Sequence, residues 1–569
     1  MTRALALAVV LAGCAAPSVP QVRFANAPVV RAVDDRRDVP RPPATRTVMW
    51  RLQRTDAFVG LATRPMELPR PRRALGVNAL DEVPDSTWFT NRIGVRDLTP
   101  DEIRAGSDGG GGGGGAGRGG SPEPHKPWTV HSTKIGGAAV GFIVSDARGE
   151  RFLVKLEKPG FPELETGADA IASRLLWAAG YNVPEDHVVY LRPDDLVLAP
   201  DARIKDLFGH TRRLERAELE RRLALGGRGP DGRMRALASR MLDGASLGGH
   251  PGEGVRADDP NDRIPHELRR DLRGAYAFFA WLDLTDVKED NTLDMWVADP
   301  ADPRRHYVKH YLIDFDKSLG STAMTSRDPR TGLEYRLDLP TASGSLVTLG
   351  LSPRAWERRV DPALPGVGLF EAEAYRPGGW KPGTPAYLPF RTADDLDKLW
   401  ASRILIRFTR AQLRAAVDAA RFSDPRAADH VTDTLIARQR ATARHWFWQA
   451  SPLDRFAPAG GALCFDDLLL VHGLAPVAAA TRYTVTAYDR RGRSLGASLV
   501  QRAAAGGRTC AGPLPLGRGG GGGDGDGDAD GYTIVRIDTA RLHFRGATYV
   551  HLAGDPRSGA PRVIGIWRP

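Results

Sequence analysis

Four side chains spread along this 569-residue sequence have the chemistry that phosphoryl transfer requires. Such a reaction needs a cation on the phosphates, two oxygen ligands for a metal ion and a carboxylate near the attacking hydroxyl. Lys155 could supply the cation, Asn291 and Asp314 the metal ligands, and Asp286 the carboxylate. Each residue type alone is common in exposed loops and strands, so the prediction depends on their order and on the elements that carry them.

Asp286 and Asn291 belong to one short segment, Asp286-Val287-Lys288-Glu289-Asp290-Asn291, with the spacing D-x-K-x-x-N. Apolar periodicity predicts a helix over residues 271–281 before this segment. Runs of β-formers after it predict strands over 292–297 and 307–313, and the second strand runs into Ile313-Asp314-Phe315-Asp316. A loop and the end of a strand therefore present these oxygen atoms.

Lys155 is predicted on the third of three short strands, over residues 129–131, 139–144 and 151–156. A helix follows over residues 163–179 and ends at Gly180. Between the first two strands, Gly136 and Gly137 form a loop whose backbone amides could approach phosphates. This loop is not a Walker motif, because no Gly-Lys-Ser/Thr follows it.

This order of elements resembles the protein-kinase-like superfamily. The D-x-K-x-x-N segment matches the catalytic loop of eukaryotic-type kinases, while phosphatidylinositol-kinase-like and HipA-type chains place His where Lys288 stands. Ile313-Asp314-Phe315 resembles the D-F-G element and, more closely, the Ile-Asp-Phe element of lipid-kinase-like families. The sequence departs from the pattern at Leu284-Thr285, which replace His-Arg, and at Asp316, which replaces Gly. These departures favour the atypical families, among which CotH-like kinases also act outside the cytosol.

The resemblance implies a role for each matching residue. Asp286 and Lys288 would be catalytic, and Asn291 and Asp314 would bind Mg²⁺. The remaining residues would bind ATP, and they are Lys155, Asp169, Gly136 and Gly137.

Asp169 is the predicted partner of Lys155. The choice rests on analogy with HipA-type chains, because Asp169 precedes a Gly180-Tyr181-Asn182-Val183-Pro184 stretch that resembles theirs. Glu165, one helical turn earlier, is the alternative.

The implied fold class is α+β, a two-lobed protein-kinase-like fold followed by a small C-terminal β-sandwich. The predicted helices over residues 394–420 and 427–448 close the kinase-like part. The predicted divisions are a lipoprotein signal peptide (1–13), a flexible tether (14–45), an N-terminal extension packing on the next domain (46–106), a Gly-rich linker (107–125), the kinase-like domain (126–452, with an insertion at about 201–262) and the β-sandwich (457–569, with a Gly/Asp-rich loop at 517–531).

The N-terminus has the form of a lipoprotein signal. Arg3 precedes a short apolar stretch, and Leu11-Ala12-Gly13-Cys14 resembles a lipobox, which predicts lipidation of Cys14. The apolar stretch is too short to cross a bilayer. We therefore expect a bacterial protein that lies outside the cytoplasm and is anchored to a membrane by the lipid. The outer membrane is favoured because Ala15, and not Asp, follows the cysteine.

Cys464 and Cys510 are then the two remaining cysteines, and they are either a disulfide or two buried thiols.

The net charge of +10 comes from scattered arginines without a basic block, so no nucleic-acid partner is expected. His306 and His310 flank a predicted strand, but with no third ligand nearby in the sequence they are interpreted as surface or satisfied core residues.

Two functions remain open on the sequence. The first is an ATP- and Mg²⁺-dependent kinase acting on a hydroxyl of an unknown protein or small molecule at the cell envelope. The second is a catalytically silent kinase-like lipoprotein that binds or scaffolds a partner.

Overall fold

The computed structural model describes residues 19–44, 72–109, 119–134, 139–205, 210–322, 328–384, 387–516 and 531–569. These residues fall into two compact units, a larger one whose described residues lie between 30 and 78 and between 82 and 452, and a smaller one whose described residues are 19–29, 79–81 and those from 453 to 569. Cys14, Gly136, Gly137, residues 110–118 of the predicted linker and residues 517–530 of the Gly/Asp-rich loop lie outside the described residues. Among the described helices, none combines the length and the apolar character that crossing a bilayer needs.

The larger unit contains a seven-stranded mixed sheet. Its strands are β1 (Trp128–Thr133), β2 (Gly141–Ser145), β3 (Arg151–Leu156), β4 (Asp186–Leu191), β5 (Leu196–Lys205), β6 (Thr211–Arg213) and β7 (Met234–Arg240). The order across the sheet is β4-β7-β3-β2-β1-β5-β6. Only the β1 and β5 pair is parallel, and the other neighbours are antiparallel. Lys155 therefore lies on a central strand of the sheet.

The predicted insertion over residues 201–262 is wrong in one respect. It does contain a short helix, but its residues 234–240 form β7, which is hydrogen-bonded between β3 and β4. The strand was missed because Met234-Arg235-Ala236-Leu237-Ala238 is rich in Ala and lacks β-branched residues. Its two partner strands and nearly complete burial stabilise it instead.

The rest of the larger unit is mainly helical. The described helices of the whole larger unit are α1 (Pro100–Ala105), α2 (Leu164–Ala179), α3 (Arg216–Leu223), α4 (Arg270–Leu282), α5 (Leu339–Val347), α6 (Leu388–Thr392), α7 (Asp395–Leu405), α8 (Arg410–Asp418) and α9 (Pro425–Gln449). Of these, α2 and α3 lie between strands of the seven-stranded sheet in the chain. A three-stranded antiparallel sheet of order β10-β9-β8 lies among them in the chain, formed by β8 (Ala245–Gly248), β9 (Thr292–Asp299) and β10 (Asp302–Leu312). One large hydrophobic core joins α2, α4, α7, α8 and α9.

Helix α2 ends where the N-terminal extension packs against it. Gly180 follows α2 with a φ of +140°, and a Cβ atom there would collide with the Phe89 ring. Phe89 is fully buried in the main core. A side chain at this position is therefore excluded by both conformation and space.

We expect Gly180→Ala to lower the free energy of unfolding by about 2–4 kcal/mol, because backbone strain and overpacking add. Chemical denaturation measures the effect. Gly160→Ala is the matched control, since Gly160 also has a positive φ of +80° but has open space where the added methyl group would lie. Equal losses in the two variants would show that Phe89 does not impose the constraint.

The smaller unit is mostly β-structure. Its elements are β11 (Leu453–Ala459), β12 (Ala462–Asp467), α10 (Leu468–Val471), β13 (Thr481–Tyr488), β14 (Leu499–Arg502), β15 (Arg508–Ala511), β16 (Thr533–Arg541), β17 (Phe544–Gly554) and β18 (Pro561–Trp567). They form a three-stranded sheet of order β11-β12-β15 and a five-stranded sheet of order β14-β13-β16-β17-β18. Side chains from both sheets share one hydrophobic cluster, in which the Phe465 and Tyr483 rings lie 5.0 Å apart.

Cys464 and Cys510 are joined by a disulfide between the neighbouring strands β12 and β15. The bond closes a chain segment with a sequence separation of 46. A Cys464→Ser, Cys510→Ser double variant should lose about 4 kcal/mol of unfolding free energy, the chain-entropy value for a loop of this length. Denaturation of the oxidised and variant proteins tests this, and equal midpoints would mean that the bond contributes nothing.

Candidate active site

The ammonium group of Lys155 contacts two carboxylates from distant parts of the chain. Its Nζ lies 2.7 Å from Asp314 Oδ1 and 3.4 Å from Asp169 Oδ2. Asp169 lies on α2, and its Oδ2 also accepts a hydrogen bond of 3.2 Å from the backbone N–H of Phe315. Strand β3, helix α2 and the segment after β10 are thus tied together at one point.

Electrostatics keep Lys155 and Asp314 charged. Burial lowers the pKa of Lys155, but Asp314 and Asp169 outweigh this and raise it well above its usual value. Lys155 in turn holds the pKa of Asp314 far below the ordinary range. Burial raises the pKa of Asp169. The two groups that these shifts keep charged are therefore the Lys155 ammonium and the Asp314 carboxylate.

The alternative partner, Glu165, contacts other lysines. Its Oε1 lies 2.7 Å from Lys158 Nζ and also pairs with Lys317. Glu165 lies four residues before Asp169 on α2, so the two carboxylates share one helix face but serve different cations. Of the two predicted partners, the structure brings Asp169 to Lys155.

The D-x-K-x-x-N segment follows directly from α4. The helix ends at Asp283, which has a left-handed φ of 53° and accepts a 2.9 Å hydrogen bond from Trp380 Nε1. The backbone N–H of Thr285 donates to the carbonyl of Lys317 at 3.1 Å. These contacts fix the segment beside the residues that follow Asp314.

Within this segment the predicted catalytic side chains interact with one another. Lys288 Nζ lies 2.7 Å from Asp286 Oδ2. The amide of Asn291 donates from Nδ2 to the carbonyl oxygen of Asp286 at 2.7 Å. This bond fixes the orientation of the Asn291 carboxamide through its nitrogen and does not use its oxygen.

Asn291 and Asp314 are brought together by a backbone hydrogen bond of 3.0 Å from Ile313 N–H to the Asn291 carbonyl. Asp314 adopts a left-handed φ of 66°, a conformation that costs energy for a residue with a side chain and is often found at functional sites. Lys288 is close enough to contribute to the lowered pKa of Asp314. Both ends of the predicted site therefore meet around the Asp314 carboxylate.

A cavity lies beside the D-x-K-x-x-N segment. Asp286, Lys288, Asn291 and Thr292 line its polar side, while apolar side chains such as Phe279 and Ile313 line the rest. Gly136 and Gly137, predicted to cover phosphates, lie outside the described residues, so their position relative to this cavity stays a prediction.

Three further charged residues lie at the site although the sequence assigned them no role in it: Lys134, Asp316 and Lys317. Burial lowers the pKa of Lys134, and the nearby Asp314 opposes this shift. Burial raises the pKa of Asp316, and the negative charge of Asp314 raises it further. Lys317 pairs with Glu165. Only their closeness to predicted motifs could have pointed to them, since lysines and aspartates next to loops are common.

Comparisons with known proteins give little further information. No family model and no curated protein matches the chain. One solved structure matches, that of the Rio2 kinase-ADP/Mg²⁺-phosphoaspartate complex from Chaetomium thermophilum. The match covers 56% of this chain and 72% of that one, with 16% identity and a TM-score of 0.20. Similarity at this level does not establish a shared fold.

Proposed function

We propose that the chain is an ATP- and Mg²⁺-dependent phosphotransferase with a two-lobed kinase-like fold. The seven-stranded sheet with α2 would be the first lobe, and the helical part with the β9 and β10 hairpin the second. One observation carries the proposal: Lys155 bridges Asp169 and Asp314 at 3.4 and 2.7 Å, although 14 and 159 residues separate it from them. This convergence brings together the ammonium that phosphoryl transfer needs on the phosphates and the acid that it needs on the metal.

The residues fit a magnesium ion. Mg²⁺ prefers oxygen ligands from carboxylates and carbonyl groups and leaves room for substrate phosphates. Asp314 is ionised and its side chain is 39% exposed, and the Asn291 oxygen is not used by the bond to Asp286. Mg²⁺ bound there would neutralise charge on the phosphates.

The chain's own groups would then carry out the transfer. Asp286 would accept the proton of the acceptor hydroxyl while the hydroxyl oxygen forms a bond to the γ-phosphorus. The bond from that phosphorus to the β,γ-bridging oxygen would break, and ADP would leave with the electron pair. Lys288, 2.7 Å from Asp286, would hold the carboxylate in place and balance charge on the transferred group. Lys155 would turn from Asp314 towards the α- and β-phosphates.

Thermal unfolding with and without nucleotide tests this proposal. A ligand that binds only the folded state at 100 times its Kd stabilises it by about 2.7 kcal/mol. We expect ATP with Mg²⁺ to raise the Tm of the full-length protein, and ATP with EDTA to have a much smaller effect. An unchanged Tm at millimolar Mg·ATP would rule out nucleotide binding.

The second candidate is a silent kinase-like protein that binds a partner. The direct ion pair between Lys155 and Asp314 favours it, because the lysine meant for phosphates occupies the carboxylate meant for the metal. Leu284-Thr285 and Asp316 also depart from the kinase pattern. This function predicts no nucleotide effect on the Tm.

The cellular setting is proposed from the sequence. Cys14 would be lipidated and would hold the protein outside the cytoplasm. The smaller unit of this anchored protein would be a β-sandwich. The disulfide in that unit suits an oxidising compartment, and the shared core of its two sheets is what a sandwich requires. Labelling cells with a clickable fatty acid tests the anchor, which a Cys14→Ser variant should lack.

A further inference from the structure

A second polar cluster lies away from Lys155, on the hairpin that carries Asn291 and Asp314 at its ends. His310 on β10 and Asp294 on β9 are direct partners in the strand register. Asp294 Oδ1 lies 2.7 Å from His310 Nδ1 and 3.1 Å from Nδ1 of His250, which follows β8. All three side chains are buried, with exposures of 3%, 0% and 1% for His310, Asp294 and His250. We call these three residues the histidine cluster.

His310 is a buried histidine with a hydrogen-bond partner, as the sequence interpretation allowed. The structure adds two possible metal ligands beside it, Asp294 and His250, which lie far from each other in the sequence. His306 is different, because its ring stacks on Trp296 and joins no such group among the described residues.

The surroundings of the histidine cluster carry an excess of negative charge. Asp259, Asp262 and Asp294 are all buried, and one buried guanidinium, that of Arg256, lies among them. Within the described structure, Asp259 Oδ2 is buried without a hydrogen-bond partner. Buried carboxylates are costly unless they are compensated. Arg256 also pairs with Asp258, and Asp262 contacts His266, so carboxylates outnumber guanidinium groups here and a bound cation would be stabilised.

The donor atoms suit a transition metal. Two imidazole nitrogens and one carboxylate oxygen are a set that Zn²⁺ uses. Metal bonds of about 2.0–2.1 Å in a tetrahedral site place ligand atoms about 3.3 Å apart. The present separations of 2.7 and 3.1 Å would therefore open by only a few tenths of an ångström to about half an ångström. A small cavity beside His250 and His310 offers space for a fourth ligand such as water.

We propose that His250, Asp294 and His310 bind one Zn²⁺ ion. The ion would fasten β9 and β10 to the residues after β8, and thereby hold the hairpin whose ends present Asn291 and Asp314. Trp88 of the N-terminal extension stacks on His310 with ring centroids 3.6 Å apart and packs edge-on against His250, so it holds both rings in place. This zinc site does not depend on kinase activity.

Metal analysis of the full-length protein tests this site. Protein produced in zinc-supplemented medium and dialysed against a weak chelator should retain about one zinc per chain. The His310→Gln variant should retain less than about a tenth of that amount. His306→Asn is the matched control on the same strand and should retain the wild-type content. Cobalt substituted into the wild-type protein should show the intense visible bands of a four-coordinate site.

The outcomes separate the alternatives. A wild-type protein without bound metal and without cobalt bands would overturn the proposal and leave a hydrogen-bonded His-Asp-His group only. Retention of zinc by His310→Gln would place the ion elsewhere and overturn it equally. If that variant does not fold, the wild-type metal content and cobalt spectrum still decide. Nucleotide enters none of these measurements, so their failure is distinct from failure of the phosphotransferase proposal.

Discussion

Replacing Asp314 by asparagine should abolish most of the magnesium-dependent affinity for ATP. The carboxylate is the only charged group that we assign to the metal, and Lys155 keeps it ionised. Its loss should weaken binding of Mg·ATP by about 100-fold or more, which corresponds to about 2.8 kcal/mol. Calorimetric titration in magnesium and in EDTA measures the change.

Two controls separate a lost ligand from a lost fold. Lys155 retains Asp169 as a partner in the Asp314→Asn variant, so the folded structure should persist without nucleotide. Asp433→Asn makes the same chemical change at an exposed residue of α9 and should leave ATP affinity unchanged. Wild-type affinity in the folded Asp314→Asn protein would remove Asp314 from the proposed metal site.

Replacing Asp286 should stop transfer while leaving nucleotide binding nearly intact. Asp286 is assigned to the proton of the acceptor, and general-base catalysis contributes about 10²–10⁴-fold. Since the natural acceptor is unidentified, water can serve as the acceptor hydroxyl. Phosphate release from Mg·ATP should fall by that factor in Asp286→Asn, while the Kd for Mg·ATP stays close to the wild-type value.

Asp433→Asn supplies the matched comparison for this experiment. Asp433 is an exposed residue of α9 that pairs with Arg410 and is assigned no role at the site. It should release phosphate at nearly the wild-type rate. Parallel losses of rate and affinity in Asp286→Asn would instead mean that Asp286 shapes the nucleotide site and is not the base.

The residues that depend on local sequence were predictable. The D-x-K-x-x-N segment fixes Asp286, Lys288 and Asn291 on one loop, and an apolar strand leads directly to Asp314. Lys155 could be placed on a strand because the residues before it are apolar and β-forming. Each of these predictions needed only a short stretch of chain. Their meeting in space was inferred from resemblance, and the distances between them came from the structure.

Features that depend on contacts between residues distant in the sequence were not predicted. Strand β7 is rich in alanine and is stabilised by its neighbours β3 and β4. The helix predicted over residues 394–420 is two helices, because Thr409 caps α8 in a capping box with Gln412. The histidine cluster likewise exists only through the register of β9 and β10 and the return of the chain at His250.

The most direct measurement of the central claim is a crystal structure of the full-length protein with ATP and Mn²⁺, in which anomalous scattering locates the cation. We expect one manganese ion coordinated by Asn291 and Asp314, with the triphosphate beside Lys155 and the γ-phosphate facing Asp286. Nucleotide and manganese bound elsewhere, or a fully soaked crystal with neither at Asp314, would contradict the proposed site.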